Sequence, residues 1–307
     1  MKAPAEPWLA YACLAGSMAL VGSYVGFSRS LVLVFPVLLL AWLRFAIAAV
    51  AMAGWVRREP AAAPLTPREH RLLFTQSFFG NFLFSVCLLY GMSLTTALAA
   101  GVIMAALPAV VALLSWWWLR ERITARVGAA TFCAVLGIAL VSATKADATA
   151  AATSVAGNAL LLAAVACEAI YVVIGKQLTQ GIGAKRISAL INLWGLALVT
   201  PFGLWQAASF DFASVSALYW AGLVAYSIAA SVVTVWLWMT GLKHVPAAAA
   251  GIFTVLLPVS AAAVGVWFLG ERFSPAQGAA FGLAIAGVVL ATWPVRARQQ
   301  EMTPGST

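Results

Sequence analysis

The sequence predicts an all-α polytopic membrane protein, and three observations carry that prediction. Apolar residues make up 64% of the 307-residue chain and charged residues only 9%, whereas soluble domains are about 45–50% apolar and about 25% charged. The apolar residues form runs of about 20, the length that a helix needs to cross a bilayer. The basic residues concentrate between alternate runs. A soluble globule and a disordered chain are therefore both excluded.

Ten apolar runs are long enough to be transmembrane helices. They cover approximately residues 8–28, 31–56, 71–92, 94–118, 124–144, 156–176, 186–206, 215–240, 245–269 and 275–294. The first run is too long for a signal peptide, so we expect a retained helix. All four cysteines lie inside apolar runs, which indicates packing residues and neither a disulfide framework nor a metal site.

The positive charges predict the orientation of these helices. If the N-terminus is cytoplasmic, the cytoplasmic segments hold 14 of the 18 Lys and Arg residues, and one more, Arg44, lies inside a helix. Cytoplasmic loops of membrane proteins carry an excess of Lys and Arg. We therefore expect ten spans with both termini in the cytoplasm.

The second half of the chain repeats the first. When residues 97–140 are compared with residues 247–290, 17 of the 44 positions are identical without a gap. Matches between alanines arise by chance, but matched Pro, Trp, Glu and Arg residues do not. A weaker match joins Tyr24 to Tyr171, at a shift of 147 residues.

This repeat predicts two five-helix domains, residues 1–147 and 150–307. Because five is odd, the second domain crosses the membrane inverted relative to the first. The matched turns at Glu121 and Glu271 are accordingly predicted on opposite sides, the first in the cytoplasm. Inverted repeats are common in secondary transporters, which bind their substrate near the midplane between the halves.

Several motifs give the chain a family resemblance. They are Gly22-Ser23-Tyr24, Leu43-Arg44-Phe45 and two copies of Ala-Ala-Gly, six residues, Pro and then Glu-Arg. With these motifs the chain resembles the EamA group of the drug/metabolite transporter superfamily over essentially its whole length. Within that group it is most similar to the bacterial aromatic amino acid exporters of the YddG type. The resemblance implies ten helices around a central cavity, with spans 5 and 10 as outer supports, in an inner-membrane exporter of amino acids or related metabolites.

The two Ala-Ala-Gly helices are candidate gating helices. Their small and proline residues recur at three- and four-residue spacing and so share one helix face. Small faces let backbones approach closely, and a proline inside a helix allows a kink. Ordinary small-residue packing is the alternative. The residues of this pair are Gly101, Met104 and Pro108 in span 4, and Gly251, Thr254 and Pro258 in span 9.

Polar stripes and deep aromatic residues are candidates for the cavity wall. Polar groups in hydrocarbon are costly unless they face protein or a wet cavity, and aromatic rings can stack on a solute or attract an ammonium group. Interhelical hydrogen bonding and core packing are the alternatives. The candidates are Ser77, Asn81 and Tyr90 in span 3, Tyr226, Ser227, Ser231 and Trp236 in span 8, and the matched pair Tyr24 and Tyr171.

Two ionisable residues lie inside predicted helices, where charge is expensive and marks functional sites. Glu168 could carry a proton or attract an amino group; a protonated, tolerated carboxyl is the alternative. Arg44 could bind a carboxylate or brace the backbone. We predict that Glu168→Gln changes the pH dependence of transport.

These features predict a secondary transporter of a neutral or zwitterionic solute with apolar bulk, such as an amino acid. Phosphorylated solutes need several basic groups, and only Arg44 lies in a span. The sequence contains neither an ATP-binding loop nor a convergent set of catalytic residues, so we expect no enzyme activity, cofactor, metal or nucleic-acid partner. A multidrug or quaternary-cation exporter, a channel and a membrane-embedded enzyme remain as alternatives. Gly278 and Gly282 form a small-residue pair that could pack within the bundle or mark a dimer face, so we expect a monomer or a weak dimer.

Overall fold

The structure is a computed structural model that describes residues 7–57, 64–94, 103–104, 106–144, 155–257, 259–260, 263 and 275–292. Every secondary-structure element in these ranges is helical. In the first half the α-helices are α1 (Pro7–Val32), α2 (Val37–Ala51), α3 (Pro67–Ser77), α4 (Phe84–Ser93), α5 (Leu107–Leu114) and α6 (Ala125–Thr144). In the second half they are α7 (Val155–Leu178), α8 (Ala184–Ala207), α9 (Ala217–Ser227), α10 (Thr234–His244), α11 (Ala247–Ile252) and α12 (Pro275–Thr292).

Four helical stretches are long and apolar enough to cross a membrane within the described part of the chain. They are Pro67–Leu88, Val155–Leu178, Ala184–Ala207 and Ala217–His244. Shorter apolar helices cover Trp8–Ser23, Val37–Ala51, Leu107–Leu119 and Ala125–Leu136. The prediction of an all-helical, multi-pass membrane protein is confirmed.

Two of the long helices contain a π-helical segment of six residues. Phe78–Leu83 joins α3 to α4, and Ile228–Val233 joins α9 to α10. A π segment widens the helix by using i→i+5 hydrogen bonds, and such segments are frequent at functional sites. The two segments lie 150 residues apart, the shift at which the sequence repeats.

The two halves are interleaved. Helix α1 packs along α10 and α7 packs along α4, while α2 packs on α8, α5 on α11, and α6 on α12. Two glycines allow the first two of these contacts. A Cβ atom at Gly241 would lie 2.7 Å from the carbonyl oxygen of Ala10, and one at Gly91 would lie 2.9 Å from Cγ of Leu161. Distances this short mean that only glycine fits at either helix crossing.

The main apolar core lies where α1, α7, α10 and α11 meet. Val172, Trp238 and Phe253 are buried there, and the ring of Tyr11 stacks on that of Phe253 with centroids 5.7 Å apart. This core therefore joins residues from both halves of the chain.

Pro108 lies in the first turn of α5, after a turn at Ala106 and helical residues 103–104. Proline is tolerated at this position because the N–H that it lacks would have no helical acceptor. Residue 105 and the predicted counterpart Pro258 lie outside the described residues, so the gating role of this pair stays a prediction.

Candidate functional site

A cavity of about 960 Å³ opens at one end of the bundle. Its wall comes from the turn that follows α2, the start of α3, the turn between α7 and α8, and two residues of α10, Trp236 near its start and Lys243 near its end. The turn after α7 contains Gly181 and Gly183, and α8 begins at Ala184 directly beside the cavity. A cavity of this volume is large enough for a small organic solute. We call this the cavity end of α2 and α8.

Two tryptophans and a lysine form the apolar part of the cavity wall. The rings of Trp55 and Trp236 have centroids 6.3 Å apart. The ammonium nitrogen of Lys185 lies 5.7 Å from the centre of the Trp55 ring and 6.0 Å from that of Trp236. These distances are typical of cation–π contacts. The site therefore places flat apolar surfaces beside a fixed positive charge.

The charged groups of the cavity are unbalanced. Among the described lining residues, four basic side chains stand against one carboxylate, that of Glu69. The backbone N–H and the hydroxyl of Thr66 donate to Oε2 of that carboxylate at 2.7 and 2.8 Å, so it is engaged in capping α3. The four basic residues are Arg57, Lys185, Arg186 and Lys243. The described part of the cavity lining consequently carries a net positive charge.

The N-terminus of α8 adds to this positive potential. Its N-cap residue, Gly183, makes no side-chain capping hydrogen bond. The first N–H groups of a helix have no helical acceptor and carry a partial positive charge. Gly183, Ala184, Lys185 and Arg186 all line the cavity, so the cavity lies beside this helix terminus.

The opposite end of α2 and α8 is closed by aromatic residues. Phe35, which is fully buried, contacts Trp220 with ring centroids 5.3 Å apart and Phe210 at 5.7 Å. Phe212 contacts Phe210 at 5.0 Å and Trp220 at 6.3 Å. The four rings fill the space between the α1–α2 turn and the α8–α9 segment. We call this the aromatic end.

One face of α9 and α10 carries buried polar groups inside the bundle. Ser227, Ser231, Thr234 and Trp238 are each at most 6% exposed. The Ser227 hydroxyl donates to the carbonyl of Leu223 at 2.6 Å. The Ser231 and Thr234 hydroxyls and the Trp238 indole N–H have no hydrogen-bond partner among the described residues. An unsatisfied buried polar group costs about 1–3 kcal/mol, so three on one face are consistent with a surface that meets a ligand.

The matching face of α3 has its polar groups satisfied. The Asn81 amide donates to the Ser77 hydroxyl at 3.1 Å, and that hydroxyl donates to the carbonyl of Ile191 at 2.8 Å. These bonds tie the first π segment to α8. Ser77 and Asn81 thus have the structural bonding that the sequence left open as their alternative role.

Helix α7 places two further candidates close together. Glu168 and Tyr171 lie about one turn apart, so they share a helix face. The Tyr171 ring packs against Gly80 in the first π segment, because a Cβ atom on Gly80 would lie 2.3 Å from its Cδ2 atom. Glu168 is half-buried. This face of α7 lies near Gly80 and not at the cavity end.

The two candidate gating helices contact each other. A Cβ atom on Gly251 would lie 2.9 Å from Cγ1 of Val111 in α5. The buried Thr254 hydroxyl donates to the carbonyl of Gly251 at 2.7 Å, and Met104 packs against the main core. Gly101 lies outside the described residues.

The remaining candidates are dispersed. Tyr90 is 64% exposed, and Tyr226 packs against the apolar cluster at the aromatic end. The Arg44 guanidinium carbon lies 4.5 Å from the centre of the Phe45 ring. Tyr24 belongs to α1, but its side chain is outside the described part of the structure. Of the sequence-predicted site residues whose side chains the structure describes, only Trp236 lines the cavity.

The Glu-Arg turn of the first half has a structural role that the sequence did not reveal. Arg120 adopts the left-handed conformation, with φ of 57°, and ends the π segment Ser115–Leu119. The Glu121 carboxylate then accepts hydrogen bonds from the backbone N–H groups of Ala247 and Ala248, at 3.0 and 3.2 Å. A residue of the first half therefore caps α11 of the second.

Comparison with known proteins identifies the class and then the family. The long apolar helices of the bundle define a multi-pass membrane protein. The family model of the EamA-like transporter family matches residues 8–143 and again residues 155–293. The chain belongs to this family.

Three similar proteins extend this finding. The chain is 35% identical over 301 residues to the uncharacterized transporter YetK of Bacillus subtilis (strain 168). The alignment covers 97% of this chain and 90% of YetK. It is 28% identical over 198 residues to YwfM, an uncharacterized transporter of the same organism, covering 64% of each chain. A crystal structure with 17% sequence identity has the same fold, with a TM-score of 0.73 over 92% of this chain and 96% of that chain.

Proposed function

We propose that the protein is a secondary-active exporter of amino acids, aromatic ones included, and of related small metabolites in the bacterial inner membrane. The observation that carries this proposal is the contrast between the two ends of α2 and α8, one open to a cavity and the other filled by aromatic rings. A carrier in one state of alternating access has such a path, open on one side only. With both termini in the cytoplasm, the cavity faces the cytoplasm.

Alternating access further requires two halves that can exchange roles, and we infer that residues 1–147 and 150–307 are such inverted repeats. Three features support this. The π segments lie 150 residues apart, α1 packs on α10 as α7 packs on α4, and glycines make both close contacts. The family model also matches twice along the chain.

The residues that line the cavity favour amino acids over quaternary cations as the transported substrate. Trp55 and Trp236 offer flat surfaces for apolar bulk, and the surplus of basic groups attracts a carboxylate. The same surplus repels a cation that has no carboxylate, which is discrimination by like charge.

The test is export of labelled Phe, Trp, Thr and a quaternary ammonium from cells with and without the protein. We expect export of Phe and Trp, and a loss of most of it in Trp236→Ala. Trp205→Ala is the matched control, because Trp205 is 73% exposed and does not line the cavity. Export of the quaternary ammonium alone would contradict the proposed substrate class.

Liposomes containing the purified protein separate a carrier from a channel. Substrate preloaded inside accelerates uptake of labelled substrate only through a carrier. We expect this acceleration; uptake that is indifferent to preloading would favour a channel and overturn the alternating-access mechanism.

Proton coupling is assigned to Glu168, the half-buried carboxylate on α7. Its substitution Glu168→Gln removes the titratable group and preserves shape, so the pH dependence of transport should flatten between about pH 5 and 8. A pH profile identical to that of the wild-type protein would remove Glu168 from any coupling role.

A further inference from the structure

The charge balance of the cavity defines its ligand more closely than the family does. We propose that the cavity is an anion-selective site that prefers an organic carboxylate with an aromatic body over the zwitterion or cation with the same body. This inference rests on the proposed function, since it concerns the same cavity and names the class of metabolite that it accepts best.

Basic side chains of the cavity lining provide donors for a ligand carboxylate. Lys185 and Arg186 begin α8, a helix of 24 residues whose N-cap residue Gly183 provides no side-chain acceptor. The Nε atom of Arg186 is buried without a hydrogen-bond partner among the described residues. Arg57 and Lys243 complete the positive lining. Guanidinium and ammonium groups beside free helix N–H groups are donors that suit a carboxylate.

Among the described residues that line the cavity, Glu69 provides the one carboxylate. Its Oε2 atom accepts from the backbone N–H and hydroxyl of Thr66. Its Oε1 atom lies against Gly181, where a Cβ atom would be 3.1 Å away. The carboxylate thus stabilises the start of α3 and keeps its charge, so among the described lining residues a ligand ammonium group would meet four positive side chains and one negative one.

The aromatic body is specified by the tryptophan pair. The centroids of Trp55 and Trp236 are 6.3 Å apart with the planes tilted by 55°, so the rings form two walls of a wedge and not a stack. Lys185 lies within 6.0 Å of both rings. A ligand whose ring contacts the tryptophans therefore has its carboxylate near Lys185 and the start of α8.

The test uses four ligands that share a phenyl ring on a short chain and differ in their charged groups: 3-phenylpropionate, phenylalanine, phenethylamine and 3-phenylpropionamide. Binding of each labelled compound to the purified protein is measured by equilibrium dialysis. We expect 3-phenylpropionate to bind at least tenfold tighter than phenylalanine, and phenethylamine to bind most weakly. Equal or tighter binding of phenylalanine or phenethylamine would overturn the proposal.

Charge-removing variants locate the site. Lys185→Gln and Arg186→Gln should each weaken binding of 3-phenylpropionate about tenfold and leave binding of the uncharged amide within about twofold. The matched control is Arg71→Gln, since Arg71 is exposed and does not line the cavity. If Arg71→Gln weakens binding as much as the other two, general surface charge and not this cavity attracts the anion, and the proposal fails.

The two proposals fail separately. Amino acid export without preference for the deaminated anion would leave the proposed function standing and remove this inference. Tight binding of 3-phenylpropionate together with no export of amino acids would remove the proposed amino acid substrate and leave the anion-selective site standing. Organic anions would then be the exported class.

Discussion

The starts of α2 and α8 lie 147 residues apart in sequence and at opposite ends of the bundle, and their surroundings differ. At the start of α2, the Leu39 N–H donates to Oε1 of Gln206 at 2.8 Å, and Phe35 is buried among aromatic rings. At the start of α8, the N-cap residue Gly183 has no side chain that could cap the helix, and a cavity of about 960 Å³ opens there. The same local architecture is therefore closed and apolar at one end, and open and positively charged at the other.

The two halves of the chain therefore share packing contacts but differ at these helix ends. The packing that defines each half is repeated, as the contacts of Gly91 and Gly241 illustrate. The helix ends are not repeated, since one is closed by rings and the other is open. Packing that is repeated in both halves, together with helix ends that differ, fits the proposed alternating-access mechanism.

The largest expected effect breaks the repeated packing. Gly91→Val and Gly241→Val each insert methyl groups where even a Cβ atom lies within 3 Å of the neighbouring helix. We expect each to destabilise the protein at the upper end of the ~1–3 kcal/mol typical of overpacking, or to abolish expression. Thermal unfolding in detergent measures the effect.

The control for this pair is Gly128→Val. A Cβ atom on Gly128 meets no atom within 4 Å, so this variant should unfold within a degree or two of wild type. A large loss in only one of Gly91→Val and Gly241→Val would show that the two helix crossings are not equivalent.

The next largest effect tests the link between the halves. Glu121→Ala removes the acceptor for the first two N–H groups of α11, Ala247 and Ala248. We expect a loss of about 1–2 kcal/mol, as for other helix caps, again measured by thermal unfolding. Arg122→Ala changes an exposed neighbour and serves as the control.

The duplicated sequence extends this prediction to Glu271, which lies outside the described residues. Glu271→Ala should cost a similar amount if it caps the α-helix of the first half in the same manner. A neutral result at Glu271 would limit the capping interaction to one half.

The smallest expected loss of stability concerns the unsatisfied polar face. Ser231→Ala and Thr234→Val remove hydroxyls that have no partner among the described residues, so the free energy of unfolding should not fall and can rise by up to about 1–3 kcal/mol. Transport should fall about two- to tenfold if the hydroxyls bond the solute, since one hydrogen bond is worth about 0.5–1.5 kcal/mol.

Thr240→Val is the matched control for this face. Its hydroxyl donates to the carbonyl of Trp236 at 2.7 Å and so is satisfied within its own helix. Transport that falls equally in Thr240→Val, or that is unchanged in both Ser231→Ala and Thr234→Val, would remove the unsatisfied face from the transport path.

Much of the fold was predictable because hydrophobicity and repetition are properties of the linear sequence. Apolar runs gave the helices, and the match between residues 97–140 and 247–290 gave a shift that also relates the two π segments. The π segments themselves were not predictable, because an i→i+5 turn leaves no distinct hydrophobic pattern.

The candidate site was predictable only in part. The polar face of Ser227, Ser231, Thr234 and Trp238 follows from helical spacing, and it is buried as one face. The cavity was missed because Trp55 and Lys185 appear in the sequence as an interfacial aromatic residue and an orienting charge. Only the packing of α2 on α8 brings both to one wall.

The most direct test of the account is the sidedness of the two Glu-Arg turns. Single cysteines are introduced as Arg122→Cys and Arg272→Cys in a protein whose four native cysteines are replaced, and intact cells are labelled with a membrane-impermeant thiol reagent. The account predicts that the cysteine at position 272 reacts from outside and that the one at position 122 reacts only after the membrane is opened. Reaction of both from the same side would contradict the inverted repeat and, with it, the alternating-access mechanism.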